Sequence, residues 1–189
     1  MLTCTDFKMK ENIQEKIEIP KEIEISIVEG VINVKGPKGE ASRKLVHPRI
    51  KIEVKDSDLL LSSEKATKRE KTMIGTFKAH IKNMIRGVGE GHVYKLKICS
   101  GHFPMNVSVS GEELIVKNFM GETIPRKLKI RKGVDVKIEG SDVVVESIDK
   151  ELAGLTASSI EKLTKRPGFD NRIFQDGIHI YIKDGKEIK

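Results

Sequence analysis

The chain has 189 residues, of which 38% are hydrophobic and 33% charged, a balance that fits a folded protein with a highly charged surface and excludes a disordered one. Its 35 Lys and Arg against 28 Asp and Glu leave a net charge of +7, which favours a polyanionic partner, nucleic acid before an anionic membrane surface. No apolar run approaches the roughly 20 residues that span a bilayer, Met1 to Lys10 lacks the apolar core of a signal peptide, and two distant cysteines, Cys4 and Cys99, make no disulfide framework. A cytoplasmic protein without a membrane partner is expected.

After a leader over 1–11, expected to be flexible, an alternating stretch follows Pro20 and runs from Lys21 to Ile27. A second alternating strand is predicted over Val31 to Lys35, then a Gly39-Glu40 turn and Arg43-Lys44-Leu45. Two more strands are expected over Ile50 to Val54 and Ser57 to Leu61. The spacing of Thr67 and Glu70 is that of a capping box, and it opens a helix. Ile74, Phe77, Ile81, Met84, Ile85 and Val88 recur at three-and-four spacing and form its apolar face; Gly87 and Gly89 stop it.

The same order then repeats. Phe103 to Val109 answers the first alternating stretch, again around a proline, Pro104, and Leu114 to Lys117 answers the second strand. Gly121-Glu122, Arg126-Lys127-Leu128, Val134 to Ile138 and Ser141 to Val145 follow in register. Asp149 is the expected N-cap of a second helix that carries Leu152, Leu155, Ile160 and Leu163 inward and ends at Pro167-Gly168. The fold class is therefore α+β: two tandem similar domains from an internal duplication, over 12–91 and 92–189, each an antiparallel sheet with one helix packed on it. The second ends in a basic tail, and the short join predicts a nearly fixed angle between the two.

Signals for catalysis are absent: no Walker loop, no zinc-protease His pair, no nucleophile elbow, no cysteine pairs at zinc spacing. The five histidines, His47, His80, His92, His102 and His179, are scattered, so no metal, cofactor or small-molecule substrate is expected and the chain reads as a non-enzyme. Gly36-Pro37-Lys38-Gly39 has the pattern of the KH-domain loop that clamps nucleic-acid backbone. Alternating strands flank it, so a hairpin turn is the better reading, with Lys38 kept as a backbone contact.

Charge marks the candidate contacts. In Arg126 to Lys132, Leu128 and Ile130 face inward, and strict alternation puts Arg126 and Lys132 on the same side. Lys127, Lys129 and Arg131 then share the outer face about 7 Å apart, near the spacing of successive phosphates. Lys132 extends the run. The second helix and its tail bring Lys162, Lys165, Arg166 and Arg172, interleaved with Phe169 and Phe174, which can stack on bases or pack locally. Lys78 and Lys82 lie off the apolar face of the first helix, where solvation and RNA contact are equally served.

Several pieces together resemble one family, the universal large-subunit ribosomal proteins called L six in bacteria and L nine in eukaryotes, in the archaeal-eukaryotic form. They are Val34-Lys35-Gly36-Pro37-Lys38-Gly39, His80 to Val88, His102 to Val107, Asn118 to Gly121 with Glu122, and Phe174 to Ile178. They run in the family's order from about Ile17 to Tyr181, and only Met1 to Glu11 has no counterpart. The resemblance implies a structural protein that binds large-subunit rRNA near the sarcin–ricin loop and the stalk base, with neighbouring ribosomal proteins as partners and translation factors nearby. It implies RNA contacts at Gly101, His102, Asn106, Asn118, Gly121, Arg166 and Arg172. Rival readings are a free RNA-binding regulator of KH type and a duplicated protein-interaction module.

Overall fold

The computed structural model describes residues 11–188 other than 21, 56, 57, 102 and 171. The chain divides into two compact units, Met1–Glu90 and Gly91–Lys189. In the first, strands β1 (Glu11–Glu18), β2 (Glu24–Val28), β3 (Val31–Gly36), β4 (Gly39–Lys44), β5 (Lys51–Lys55) and β6 (Asp58–Ala66) precede helix α1 (Lys68–Gly89). In the second, β7 (His92–Cys99), β8 (Asn106–Ser110), β9 (Glu113–Lys117), β10 (Arg126–Lys129), β11 (Val134–Glu139) and β12 (Asp142–Ser147) precede α2 (Lys150–Leu163), and β13 (Gly177–Lys183) and β14 (Lys186–Glu187) follow it.

The α+β class and the duplication are as expected, with one difference. The strands of each unit divide between two antiparallel sheets, β2-β3-β4 with β1-β6-β5, and β8-β9-β10 with β11-β12-β7-β13-β14. Prolines mark the division: Pro20 and Pro104 separate the first strand of each unit from the second, and Pro48 separates β4 from β5. A residue without an N–H interrupts a ladder. The split also lets one helix cover two inward faces, since α1 packs on β3 and β4 as well as on β1 and β6. Ile32, Val34, Leu59 and Leu61 are fully buried there, together with Ile74, Ile81 and Val88 of the helix.

Glu70 reaches back to the N–H of Thr67 at 2.8 Å and also binds its hydroxyl, so the expected capping box is present. Asp149 caps α2 by accepting from the Glu151 N–H at 2.9 Å. The inward face of α2 differs from the expectation: Leu155 is half exposed, and Ala153, Thr156, Ala157 and Ile160 are buried, with Leu152 and Leu163 at the edge. Small residues on that stripe bring the helix close to the sheet, and Leu155 falls on the opposite side of the turn. Gly87 lies inside α1, which runs on to Gly89.

Candidate nucleic-acid interface

Helix α2 ends at Leu163, and the exposed Lys162 and Lys165 flank that end, where the negative pole of a helix favours cations. Thr164 fixes the exit: its hydroxyl donates to the Glu161 carbonyl at 3.2 Å and accepts from the Ile178 N–H at 2.9 Å. Pro167 and Gly168, the latter at φ +87°, then turn the chain so that Phe169 meets Phe174 edge to face, 5.0 Å between ring centres. The guanidinium of Arg166 lies 4.4 Å from the Phe169 ring centre. These side chains line a cleft of about 290 Å³, with Phe119, Met120 and His179 among its other walls.

The cleft also holds two carboxylates, and both are engaged with backbone. Asp176 accepts from the Gly101 N–H, and Glu161 from the Ile180 N–H at 3.3 Å. The side chains of Lys162 and Lys165 make no ion pair among the described residues, so the cleft presents net positive charge beside two half-exposed rings. Arg172 is held differently. It grips Asp170 at 3.0 and 3.2 Å, and those bonds keep the Asp170 carboxyl below the usual carboxylate range.

Gly101 and the segment 118–121 border this cleft through shared contacts, with Phe103 and Pro104 behind them. Asn118, in the left-handed region at φ +57°, donates from its side chain to the Pro104 carbonyl at 3.1 Å. Gly121 also has positive φ, and a β-carbon there would stand 3.6 Å from the Phe103 ring. Met120, between them, touches Arg166 through its sulfur at 4.0 Å. Asn106 is exposed at the start of β8, opposite Lys117. The structure thus brings Gly101, Asn118 and Gly121 to the rim of the cleft lined by Lys162, Lys165, Arg166, Phe169 and Phe174. His102 lies outside the described residues.

The basic strand forms a second surface. Lys127 and Lys129 are exposed on β10, with Leu128 and Ile130 turned inward. Arg126 does face the core side: its Nη1 donates to the Leu163 carbonyl at 2.6 Å, and its guanidinium lies over Phe119. Lys132 departs from strict alternation and is exposed, because β10 ends at Lys129 and the chain turns at Gly133, φ +82°. Leu128 to Lys132 line a groove of about 360 Å³ with Thr156 and Ser159 of α2. Lys129 has only a loose pair, 4.0 Å to Glu112, with both side chains well exposed.

Two of the three sequence candidates in the first unit have local duties. Lys38 donates from its ammonium to the Glu90 carbonyl and from its backbone to the Val88 carbonyl at 3.0 Å, closing the end of α1. Lys78 pairs with Glu15 at 2.5 Å. Lys82 is exposed and borders a groove at the end of β1. Gly36 and Gly39 face each other across a two-residue hairpin between β3 and β4, so the KH reading, which needs a helix on each side, does not apply.

Sequence reasoning missed the pair formed by His92 and Asp184. His92 Nδ1 lies 2.8 Å from Asp184 Oδ1, both are buried, and Lys150 reaches the other Asp184 oxygen at 3.1 Å. Burial pushes the Asp184 carboxyl up, but the bonds from His92 and Lys150 outweigh it and hold it below the usual range. Residues so far apart in sequence carry no local signal of their contact. Strands β7 and β13 were also unforeseen, although Val93 to Ile98 and Ile178 to Ile182 alternate plainly.

The family model for ribosomal protein L6 matches residues 19–91 and again 103–177, once in each unit. The chain is 45% identical over 175 residues to the large ribosomal subunit protein uL6 of Methanosarcina mazei, covering 93% of this chain and 99% of that one. It is 46% identical to the uL6 of Nanoarchaeum equitans, over 93% and 96% of the two chains. The uL6 of Methanococcus vannielii is 42% identical over 92% and 96%. A match in each unit and relatives aligned along nearly their whole length leave one conclusion: the chain belongs to the ribosomal protein L6 family, in its archaeal form.

Proposed function

We propose that this chain binds large-subunit rRNA near the sarcin–ricin loop and the base of the stalk, and so supports the site where translation factors act. Family membership makes it a structural ribosomal protein and not an enzyme. Its relatives are large-subunit proteins by name, and we assign this chain to that particle in the cytoplasm, among neighbouring ribosomal proteins. The units 12–91 and 92–189 act as two RNA-facing bodies, the second making most contacts.

One observation supports the assignment of the contact surface: in the α2 cleft the two acidic side chains are bound to backbone amides, while Lys162, Lys165 and Arg166 stand beside Phe169 and Phe174. Cations of this kind bind phosphate with counterion release, and exposed rings accept an unstacked base. Lys129, Arg131 and Lys132 extend the surface along a second groove, and Lys127 is exposed beside it on β10. Gly101, His102, Asn106, Asn118, Gly121 and Arg172 are assigned to the same contact.

Sedimentation of a cell extract with and without ribonuclease tests the coarse reading, and hydroxyl-radical footprinting of reconstituted particles tests the fine one. Nuclease-sensitive co-sedimentation and protection in the sarcin–ricin loop are expected. A protein found only at the top of the gradient refutes subunit membership; protection confined to other helices refutes the location.

A further inference from the structure

The two units differ at one sheet edge. In the second, β7 lies between β12 and β13. In the first, the counterpart β1 pairs with β6 on one side, and among the described residues no strand lies on the other. The helices explain the difference. Measured from the N-caps Thr67 and Asp149, α1 runs for 22 residues and leads on to β7, whereas α2 stops after 14 and the chain folds back as β13. Among the described residues the first unit has the seat without the strand.

What fills the seat in the second unit defines what such a seat accepts. β13 runs antiparallel to β7, with Gly177 opposite Cys99 and Lys183 opposite Tyr94. Its isoleucines alternate: Ile178 is fully buried and Ile180 packs against the core. In the first unit, the corresponding region between the end of β1 and the last turns of α1 is an open groove of about 810 Å³, lined in part by Pro20, Ile23 and Ile85. The charges around it are Lys16, Lys82 and Arg86 against Glu18, Glu22 and Glu90, an even mixture that does not select a polyanion. An edge strand instead offers a row of backbone donors and acceptors, which match a peptide and not a phosphate chain.

We infer that the free edge of β1 docks an extended segment of a neighbouring protein, which joins the sheet antiparallel to β1 with β-branched residues at alternate positions, as β13 does in the second unit. Only the identity of that neighbour rests on residence in the large subunit. The docked segment gives β1 a strand on each side, as β12 and β13 do for β7.

Two measurements test this. A photoreactive benzoylphenylalanine is placed at Gln14 or Glu18, both exposed on β1, in chains assembled into salt-washed large subunits, and products are mapped by mass spectrometry. Both positions should label one alternating segment of one neighbouring protein. The Glu18 product should fall about four residues nearer the segment's N-terminus, the order antiparallel pairing requires. Labelling of RNA, of residues 1–10 of the same chain or of a second copy overturns the inference, as does the parallel order or no product. Outside the particle, a synthetic peptide of residues 177–183 is titrated into the free full-length chain and followed by backbone amide NMR. Shifts along β1 with β4 unmoved are expected; no shift, or shifts confined to β7, overturn the inference. Failure of the chain to enter the subunit refutes the functional proposal instead, and the peptide titration still decides this one.

Discussion

Arg126 holds Glu122 with a two-pronged ion pair, Nε at 2.8 Å from one carboxylate oxygen and Nη2 at 2.6 Å from the other. Hydrogen bonding from Arg126 keeps the Glu122 carboxyl below the usual range. The same guanidinium ties the α2 terminus to β10 through the Leu163 carbonyl. Arg126→Ala should therefore destabilise the second unit by about 2 kcal/mol, the order expected for charge-assisted bonds in a mostly buried setting. Arg126→Lys should recover less than half, because an ammonium has no fork. Urea denaturation of the free protein measures both, and a lysine variant as stable as the parent contradicts the bidentate geometry.

Glu70 gives the fold a predicted acid sensitivity. Bonds from the Thr67 hydroxyl and N–H lower its carboxyl from the usual 4.5 to about 2, with Arg49 adding to the effect. A depressed folded value contributes stability above pH 4.5 that is lost as the pH falls towards 2. Between those values the parent should lose stability more steeply than Glu70→Gln, whose curve lacks this step. Equal slopes in chemical denaturation at pH 4.5, 3.5 and 2.5 would show that the capping box has no linkage to pH.

The two basic surfaces should be separable by salt. Replacing Lys127, Lys129 and Arg131 with Gln, or Lys162, Lys165 and Arg166 in a second variant, should weaken rRNA binding. The log–log salt dependence should flatten by roughly one for each phosphate that is no longer neutralised. Circular dichroism checks that both variants stay folded. Filter binding at several salt concentrations gives the slopes; a set that leaves the slope unchanged is solvated surface.

Phe174 is testable independently of charge. Its ring is nearly half exposed at the cleft, against the edge of Phe169. Phe174→Leu should weaken binding by about 1–3 kcal/mol if a base stacks there, with the salt slope retained. An unchanged affinity makes the pair of rings a purely local packing contact.

Gly36 is required for a close approach and not for its backbone angle. A β-carbon there would stand 2.5 Å from a methyl of the buried Val88. Gly36→Ala should cost about 1–3 kcal/mol by overpacking. Adding Val88→Ala should restore part of that stability, a negative coupling measurable in a double-mutant cycle.

Some of this was legible in sequence and some was not, for physical reasons. Thr67 and Glu70 are local partners, so their spacing announced the helix start. The hairpin at Gly36 to Gly39 announced itself by the strands beside it. Leu155 misled because its size outweighed the smaller Ala153 and Ala157, which are what the sheet admits. At the site, Lys162, Lys165 and Arg166 read as basic, but their union with Gly101 and Asn118 around one cleft depends on tertiary contacts such as Asp176 to Gly101. Lys38 and Lys78 looked available, and only the folded chain shows the Glu90 carbonyl and Glu15 that hold them.

The position of β7 between β12 and β13 sets an order of events during synthesis. Every described strand of the first unit finds its partner within Glu11 to Ala66, so its sheets can form once Glu90 has left the exit tunnel. β7 emerges next but waits for Gly177 to Lys183 before its second edge is paired, the longest-range strand pairing among the described residues. Nascent chains therefore carry an amino-terminal unit whose described strand pairs can all form, and a second unit in which β7 stays unsealed until Lys183 has emerged. Truncation before Gly177 would strand β7 with an open edge, which is where aggregation of shortened products should begin.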